Sequence, residues 1–345
     1  MENAWFVLYH VYSTAKKFDV RGLQKFEEDL KIAQELDVKT IFLEDYYLNF
    51  IWGEYTNFWN EKMFRKMIQM THDYGIRFIP YLDLTELATH GAIYKKFGRK
   101  WSAKNKWGKP LAAFSSIFLP YYSTFDFHTK LMCPISGWSD YLTNQAQILL
   151  TQYDVDGIYL DRADYRVICY DHSKDLNHFI EGIPSLVQQI QMEVKKVSRK
   201  NILVMNDSCI KPDATFKKCA SSVDYILTEL LPVDTDPRNF YWQSLVNWGE
   251  LLYALRFLLK PLLKFFMTFA FTTSGMTDET RIQQIINRLK PFVGHNIFIF
   301  SHRRDYEGIQ TIRKIAQRNR LQCCYISGLD YLRDIQPLFD IKKRK

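Results

Sequence analysis

The chain has 345 residues, 47% of them hydrophobic and 24% charged, which is the balance of a packed globular protein and excludes a disordered one. Its net charge of +8 comes from basic residues scattered along helical segments, with one short run at Lys342-Lys343-Arg344-Lys345. Charge of that kind reads as a solvated surface, so no nucleic-acid partner is expected. The six cysteines, Cys133, Cys169, Cys209, Cys219, Cys323 and Cys324, are too sparse for a disulfide framework and lack zinc-ligand spacing. A reducing compartment fits them best, and neither a metal nor a cofactor is expected.

Taken in chain order, Met1-Glu2-Asn3-Ala4-Trp5 carries an acid where a secretory leader has basic residues and passes directly into a strand, so the expected location is cytoplasmic. Short apolar runs rich in β-branched and aromatic residues then alternate with amphipathic helices, the pattern of parallel βαβ units. Eight strands are expected, at Trp5–His10, Thr40–Asp45, Arg77–Asp83, Val155–Asp161, Ile202–Asp207, Tyr225–Glu229, Phe265–Phe271 and Ile297–Ser301. Helices are expected near Gly22–Leu36, Glu61–Tyr74, Ser139–Tyr153, His178–Val197, Phe240–Leu259, Asp278–Leu289 and Tyr306–Arg318, with Lys211–Ala220 the weakest unit.

The third unit is longer than the rest. Residues 84–136 contain Gly91, Gly98, Gly108, Pro110, Pro120 and many aromatics, and an excursion after a barrel strand lies on the catalytic face, where it forms part of a cleft or a lid. The apolar stretch from Leu251 to Phe271 is interrupted by Arg256, Lys260, Pro261 and Lys264, which argues for a buried helix, a turn and a strand in place of a membrane span. No Gly/Ser or Pro linker divides the series. The expected fold is therefore α/β, a single (β/α)8 TIM barrel over residues 1–320, with an insertion at 84–136 and an extension at 321–345. A doubly wound sheet is the alternative, but His10-Val11-Tyr12-Ser13-Thr14 offers no glycine-rich phosphate turn after the first strand.

In a barrel the strand ends face one shared site. Here they carry His10 and Tyr12, Glu44 and Asp45, Asp83, Asp161 with Asp164, Asn206 and Asp207, Glu229, and His302 with Arg303. Any one of these acids could simply cap the next helix. Several converging from different strands ask for chemistry. Period-two alternation puts Gly157, Tyr159 and Asp161 on one strand face, and Tyr225, Leu227 and Glu229 on another. Asp161 and Glu229 would then face each other across the mouth, at a separation compatible with retaining or inverting glycoside hydrolysis. Asp161, followed by Arg162 as a possible charge partner, suits the ionised nucleophile or base. Glu229, among Leu227, Leu230 and Leu231, suits the protonated acid. His10, Tyr12, Glu44, Asp45, Asp83, Asp164, Asn206, Asp207, Asp234, His302 and Arg303 are candidates for holding the substrate. Loop aromatics such as Trp52, Tyr55, Trp101 and Trp107 are candidates for stacking on sugar faces.

The run Cys133-Pro134-Ile135-Ser136-Gly137-Trp138-Ser139-Asp140-Tyr141-Leu142, followed by Tyr153-Asp154-Val155-Asp156-Gly157-Ile158-Tyr159-Leu160-Asp161, resembles the barrel glycoside hydrolases of the broad α-amylase, α-galactosidase and polygalactosaminidase assemblage. The resemblance implies a catalytic Asp at the end of the fourth strand, the position of Asp161. Asn206-Asp207 and Glu229 are similar to the Asp, Asn, Glu order of polygalactosaminidase-like barrels, which implies a carbohydrate substrate. Two departures stand out. Tyr159 occupies the place where amylases have Arg, and Glu229 stands at a strand end where α-galactosidases use a later Asp, a role for which Asp234 and Asp236 compete.

Three other readings are weighed against glycoside hydrolysis. One is a catalytically silent barrel that binds glycans or a partner. Another is a sugar-phosphate enzyme using Arg303 and Arg304. The last is a metal-dependent hydrolase, disfavoured because His10 is not part of a His-x-His pair and no His, Cys and carboxylate cluster shows ligand spacing.

Overall fold

The computed structural model describes residues 5–9, 20–35, 38–43, 51–58, 60–115, 128–163, 165–207, 213–230, 279–294, 296–301 and 306–327. The elements on the larger sheet are β1 (Trp5–Tyr9), α1 (Val20–Glu35), β2 (Val38–Leu43), α2 (Glu61–Asp73), β3 (Arg77–Asp83), α4 (Trp138–Gln152), β7 (Gly157–Asp161), α5 (His178–Val197), β8 (Ile202–Asn206), α6 (Ala214–Ala220), β9 (Tyr225–Leu230), α7 (Glu279–Val293), β10 (Ile297–Ser301), α8 (Tyr306–Asn319) and β11 (Gln322–Ser327). Between β3 and α4 lie β4 (Glu86–Ala88), a π-helical turn at Tyr94–Gly98, α3 (Arg99–Trp101), β5 (Ala112–Ser115) and β6 (His128–Leu131).

The fold is mixed α/β. Strands β2, β3, β7, β8, β9 and β10 form a curled, parallel six-strand sheet, and the backbones of β1 and β11 pair with its two edges and with each other. The curl shows in the packing of its concave side. Phe42 on β2 touches Tyr159 on β7, with ring centroids 5.2 Å apart, and Phe298 on β10, at 6.0 Å. Tyr225 stacks on Phe298 at 4.8 Å. Strands this far apart in the ladder order bring rings together only when the sheet bends around them.

The helices cover the outer side for the reason their sequences suggest. In α5, Phe179, Ile183, Leu186, Val187, Ile190 and Val194 recur at three- and four-residue intervals and are all buried. Each such side chain contributes about 1.5–3 kcal/mol relative to exposure. In α2 the Asn60 side chain accepts the Met63 N–H at 3.1 Å, capping the helix, and Phe64, Met67, Ile68 and Thr71 face inward. Asp156, just before β7, accepts the Phe78 N–H at 2.8 Å and lies 2.8 Å from His72 Nε2, joining α2 and β3 to the β7 entry.

Two expectations change. Strand β9 pairs directly with β10 over five residues, so no strand stands between Tyr225–Glu229 and Ile297–Ser301, and Phe265–Phe271, like Phe240–Leu259, lies outside the described residues. The last parallel strand is β11, which lies between β10 and β1. Residues 322–327, expected within the extension at 321–345, therefore belong to the sheet. Among the described residues no helix is long and apolar enough to cross a membrane, and the Leu251–Phe271 stretch is not among them.

The excursion after β3 has its own three-stranded antiparallel sheet, in the order β4-β6-β5. Glu86 pairs with Leu131, and the Met132 N–H donates to the Thr85 carbonyl at 2.6 Å, so the excursion leaves and returns at one place. Trp138, the first residue of α4, is fully buried and donates its indole N–H to the Leu84 carbonyl at 2.8 Å.

Candidate active site

Strands β3 and β7 end in the same tripeptide, Tyr81-Leu82-Asp83 and Tyr159-Leu160-Asp161, and the two pair in register residue for residue. Paired residues in a parallel ladder share a face, so both tyrosines and both aspartates turn to the concave side. The tyrosine rings meet at 5.6 Å. Above them the Tyr81 hydroxyl donates to Asp161 Oδ2 at 2.9 Å and lies 3.4 Å from Asp83 Oδ2. Asp161 Oδ1 accepts the Arg162 N–H at 2.8 Å, and the Asp161 carbonyl accepts the Leu84 N–H at 3.0 Å.

The two aspartates differ in access. Asp161 is partly exposed. Asp83 is fully buried, and its oxygens meet donors of the chain itself: Thr85 N–H at 2.8 Å and Glu86 N–H at 2.9 Å on Oδ1, and Trp52 Nε1–H at 3.0 Å on Oδ2. Its own N–H donates to the Tyr55 hydroxyl at 2.6 Å. Burial raises the Asp83 pKa well above the usual carboxylate range, and the charges of Glu86 and Asp161 push the same way, opposed by Arg162.

Beside this row lies a third acid, one that the sequence did not single out. Glu86, 1% exposed, accepts the Thr129 hydroxyl at 2.7 Å and the Tyr165 hydroxyl at 2.8 Å, and pairs with Arg162 Nε at 3.3 Å. The Arg162 guanidinium also donates to the Tyr165 hydroxyl at 2.6 Å and sits 4.6 Å from the centre of its ring. The sequence suggested Arg162 as a charge partner of Asp161. Its backbone N–H meets Asp161, while its guanidinium engages Glu86. A left-handed backbone at Arg162, φ 60°, separates the two directions.

The other candidates divide clearly. Asn206 and Asp207 are buried at and just beyond the end of β8, each 2% exposed, and the Asp207 N–H donates to the Leu227 carbonyl at 3.0 Å. Glu229 is placed by its backbone, paired with Phe300 on β10 and three residues beyond Ile226, which stands level with Met205 and Leu160. His10, Tyr12, Glu44, Asp45, Asp164, Asp234, His302 and Arg303 lie outside the described residues. Of the loop aromatics, Tyr55 is fully buried under Asp83 and Trp101 is packed between Phe97 and Tyr141, so neither is free to stack on a sugar. Trp107 is 72% exposed.

The expectation that no His, Cys and carboxylate cluster has ligand spacing also changes. Cys133, Cys169, His172 and His178 come together with their ligand atoms within 4.8 Å of one another. The spacing Cys169-x2-His172-x5-His178 was the available signal.

With the geometry in view, comparisons with known proteins place the fold. Residues 44–209, less than half of the chain but including Asp83, Glu86 and Asp161, match a family model described as a domain of unknown function, DUF6259. No curated protein matches. Among solved structures, the chain is similar to a cycloisomaltooligosaccharide glucanotransferase from Paenibacillus sp., with a TM-score of 0.54 at 11% identity over 86% of this chain and 38% of that one. It is also similar to a noncanonic maltogenic alpha-amylase from Thermotoga neapolitana, with a TM-score of 0.55 at 12% identity over 95% and 68% of the two chains. A third is alpha-L-fucosidase isoenzyme 2 from Paenibacillus thiaminolyticus, with a TM-score of 0.55 at 13% identity over 100% and 50%. At these identities the likeness is one of fold. The chain spans well under two thirds of the length of the first of these enzymes.

Proposed function

We propose that the protein is a (β/α)8 glycoside hydrolase in which Asp161 is the nucleophile or base and Glu229 the general acid. The observation that carries this reading is the in-register pair of strand ends. One acid, Asp161, is open to a substrate and held by a hydroxyl and a backbone N–H, while its neighbour Asp83 is sealed behind it. A carboxylate fixed in this way is preorganised to meet positive charge developing at an anomeric carbon. The fold neighbours are named as a glucanotransferase, an amylase and a fucosidase, which supports a carbohydrate substrate.

In the proposed reaction Asp161 faces the anomeric carbon, either attacking it or activating a water, and Glu229 protonates the leaving oxygen from one strand beyond β8. Strands two apart are separated by roughly 9–10 Å, and inward-leaning side chains shorten that to either glycosidase geometry. Asn206, Asp207 and the strand-end groups named above would hold sugar hydroxyls, and the excursion between β3 and α4 would border the cleft.

The test is a screen of α- and β-linked aryl glycosides and polysaccharides with the wild-type chain, Asp161→Asn and Glu229→Gln. Each variant is expected to lose about 10²–10⁴-fold in turnover, the range that acid–base groups supply, with glycan binding retained. Unchanged turnover in Asp161→Asn overturns the assignment of that residue. Glycan binding by the wild-type chain without turnover of any substrate favours a silent binding barrel.

A further inference from the structure

Outside the carboxylate row, four metal-ligating side chains converge where the excursion meets the connection from β7 to α5. Cys133 stands two residues past β6, Cys169 and His172 lie in the connection, and His178 is the first residue of α5. Both cysteines are fully buried and His178 is 5% exposed. Cys169 Sγ lies 3.6 Å from His172 Nδ1.

The chain brings them together by close packing. Gly182 follows His178 by four residues on the same face of α5. A Cβ there would stand 2.7 Å from Ile135 Cγ2 and 3.1 Å from Pro134 Cβ, so its absence lets α5 press against the segment that carries Cys133. At His172 the backbone takes a left-handed φ of 68°, turning the connection within three residues of Cys169.

The hydrogen bonds of the two rings fix which nitrogens face the cluster. His172 Nε2 lies 2.6 Å from the Lys100 carbonyl, and His178 Nδ1 is bonded to the Asp175 carbonyl. A carbonyl only accepts, so both of these nitrogens carry the proton. In neutral rings the lone pairs are then on His172 Nδ1 and His178 Nε2. His178 Nε2 is buried and meets no hydrogen-bond partner among the described residues, and a buried lone pair without a donor is costly unless something else occupies it. Orientation of one ring nitrogen by a backbone carbonyl is the usual outer support of a metal-bound histidine.

We propose that Cys133, Cys169, His172 and His178 bind one zinc ion in a closed, tetrahedral site that fastens the excursion to the connection leaving Asp161. Zn–S bonds of about 2.3 Å and Zn–N bonds of about 2.0–2.1 Å in a tetrahedron put ligand atoms about 3.3–3.8 Å apart. The Cys169–His172 pair already lies in that range, and the quartet closes on the ion by a contraction of about 1.5 Å at most. Binding releases the two thiol protons to solvent, and the Cys169 Sγ contact with the Asp171 carbonyl, at 3.3 Å, gives way to a zinc–thiolate bond. Two thiolates, two neutral imidazoles and Zn²⁺ sum to zero charge, which suits a buried site. Four protein ligands leave no open position for substrate, so the ion is structural, and the sulfur and imidazole set favours zinc over calcium or magnesium.

The experiment uses the full chain, purified without chelators, loaded with zinc chloride and dialysed. Expected are about one zinc per chain by mass spectrometry and a zinc absorption-edge spectrum with sulfur and nitrogen ligands in equal number at about the distances above. Cobalt(II) in its place should give thiolate charge-transfer absorption. Cys169→Ser and His178→Gln should each weaken zinc binding by about tenfold or more. Loss of all zinc on dialysis overturns the proposal, and so does an oxygen-and-nitrogen-only ligand set, or a folded Cys169→Ser chain that holds zinc like wild type. The wild-type spectra decide the ligand set even if a variant fails to fold. No readout depends on glycoside hydrolysis, so the two proposals fail separately.

Discussion

Asp83 stands in register beside Asp161, and the Tyr81 hydroxyl lies between their carboxylates, 3.4 Å from one and 2.9 Å from the other. One proton on Tyr81 thus serves the partly exposed acid, and its ring supports both. Tyr81→Phe keeps the ring and removes that proton. Loss of a hydrogen bond to a charged group costs about 1.5–3 kcal/mol, so urea unfolding should show a loss of that order and turnover should drop with it. A variant with unchanged stability and turnover would mean that water replaces the hydroxyl without cost.

The buried pair of Glu86 and Arg162 gives a larger effect. Glu86 is 1% exposed in its side chain and Arg162 is 14% exposed, so Glu86→Ala strands a guanidinium away from water and releases the hydroxyls of Thr129 and Tyr165. Breaking a buried pair from one side costs about 3–5 kcal/mol. Adding Arg162→Met should restore part of that loss. A single-variant loss below about 1 kcal/mol, the value of a surface pair, would contradict the burial argument.

Backbone crowding offers a test without polar chemistry. Gly157 opens β7 opposite Ile202, and a Cβ there would stand 2.0 Å from the Ile202 carbonyl oxygen, a backbone atom that cannot turn aside. Gly157→Ala should destabilise by about 3 kcal/mol or more. It should also disturb Asp161 four residues on, seen as a fall in turnover of whatever molecules remain folded.

The link between α2 and the β7 entry titrates. The hydrogen bond to Asp156 raises the His72 pKa above its ordinary 6.5, with partial burial opposing and the charges of Asp156 and Asp154 adding to the rise. A raised histidine pKa means that protonation favours the folded state. That stabilisation is complete below about pH 6.5, the unfolded value, and fades as pH climbs through the higher folded value. Wild-type urea midpoints should decline across this window more than those of His72→Gln. Equal slopes, or an NMR titration of the ring at or below 6.5, would refute the assignment.

Much of the sheet is legible in the sequence because period and burial agree there. The boundaries of α5 follow from its apolar repeat to the residue, and alternation alone puts Tyr159 and Asp161 on one face. The same alternation in Tyr81-Leu82-Asp83 marks the companion row. Glu86 is hidden because its partner Arg162 arrives from just beyond the end of β7 and nothing local to Glu86-Leu87-Ala88 signals an ion pair. Strand β11 escapes for a different reason: Gln322-Cys323-Cys324-Tyr325-Ile326-Ser327 has one β-branched residue and a weak alternation, and its place is fixed by pairing with β1, more than 300 residues earlier. The cysteine and histidine quartet combines a local triplet with a distant Cys133, and only folding joins them.

Because the polypeptide departs at Glu86 and comes back at Leu131 directly opposite in the antiparallel pairing of β4 with β6, the excursion is a module whose outer loops can change in length at small entropic cost while the ends of β3 and β7 stay where they are. The tether is Glu86 itself, held on one side by Thr129 from the returning strand and on the other by Arg162. Exchange of such a module among related chains could reshape the rim around Asp161, and a graft that keeps this acid and its threonine would be the one that fits.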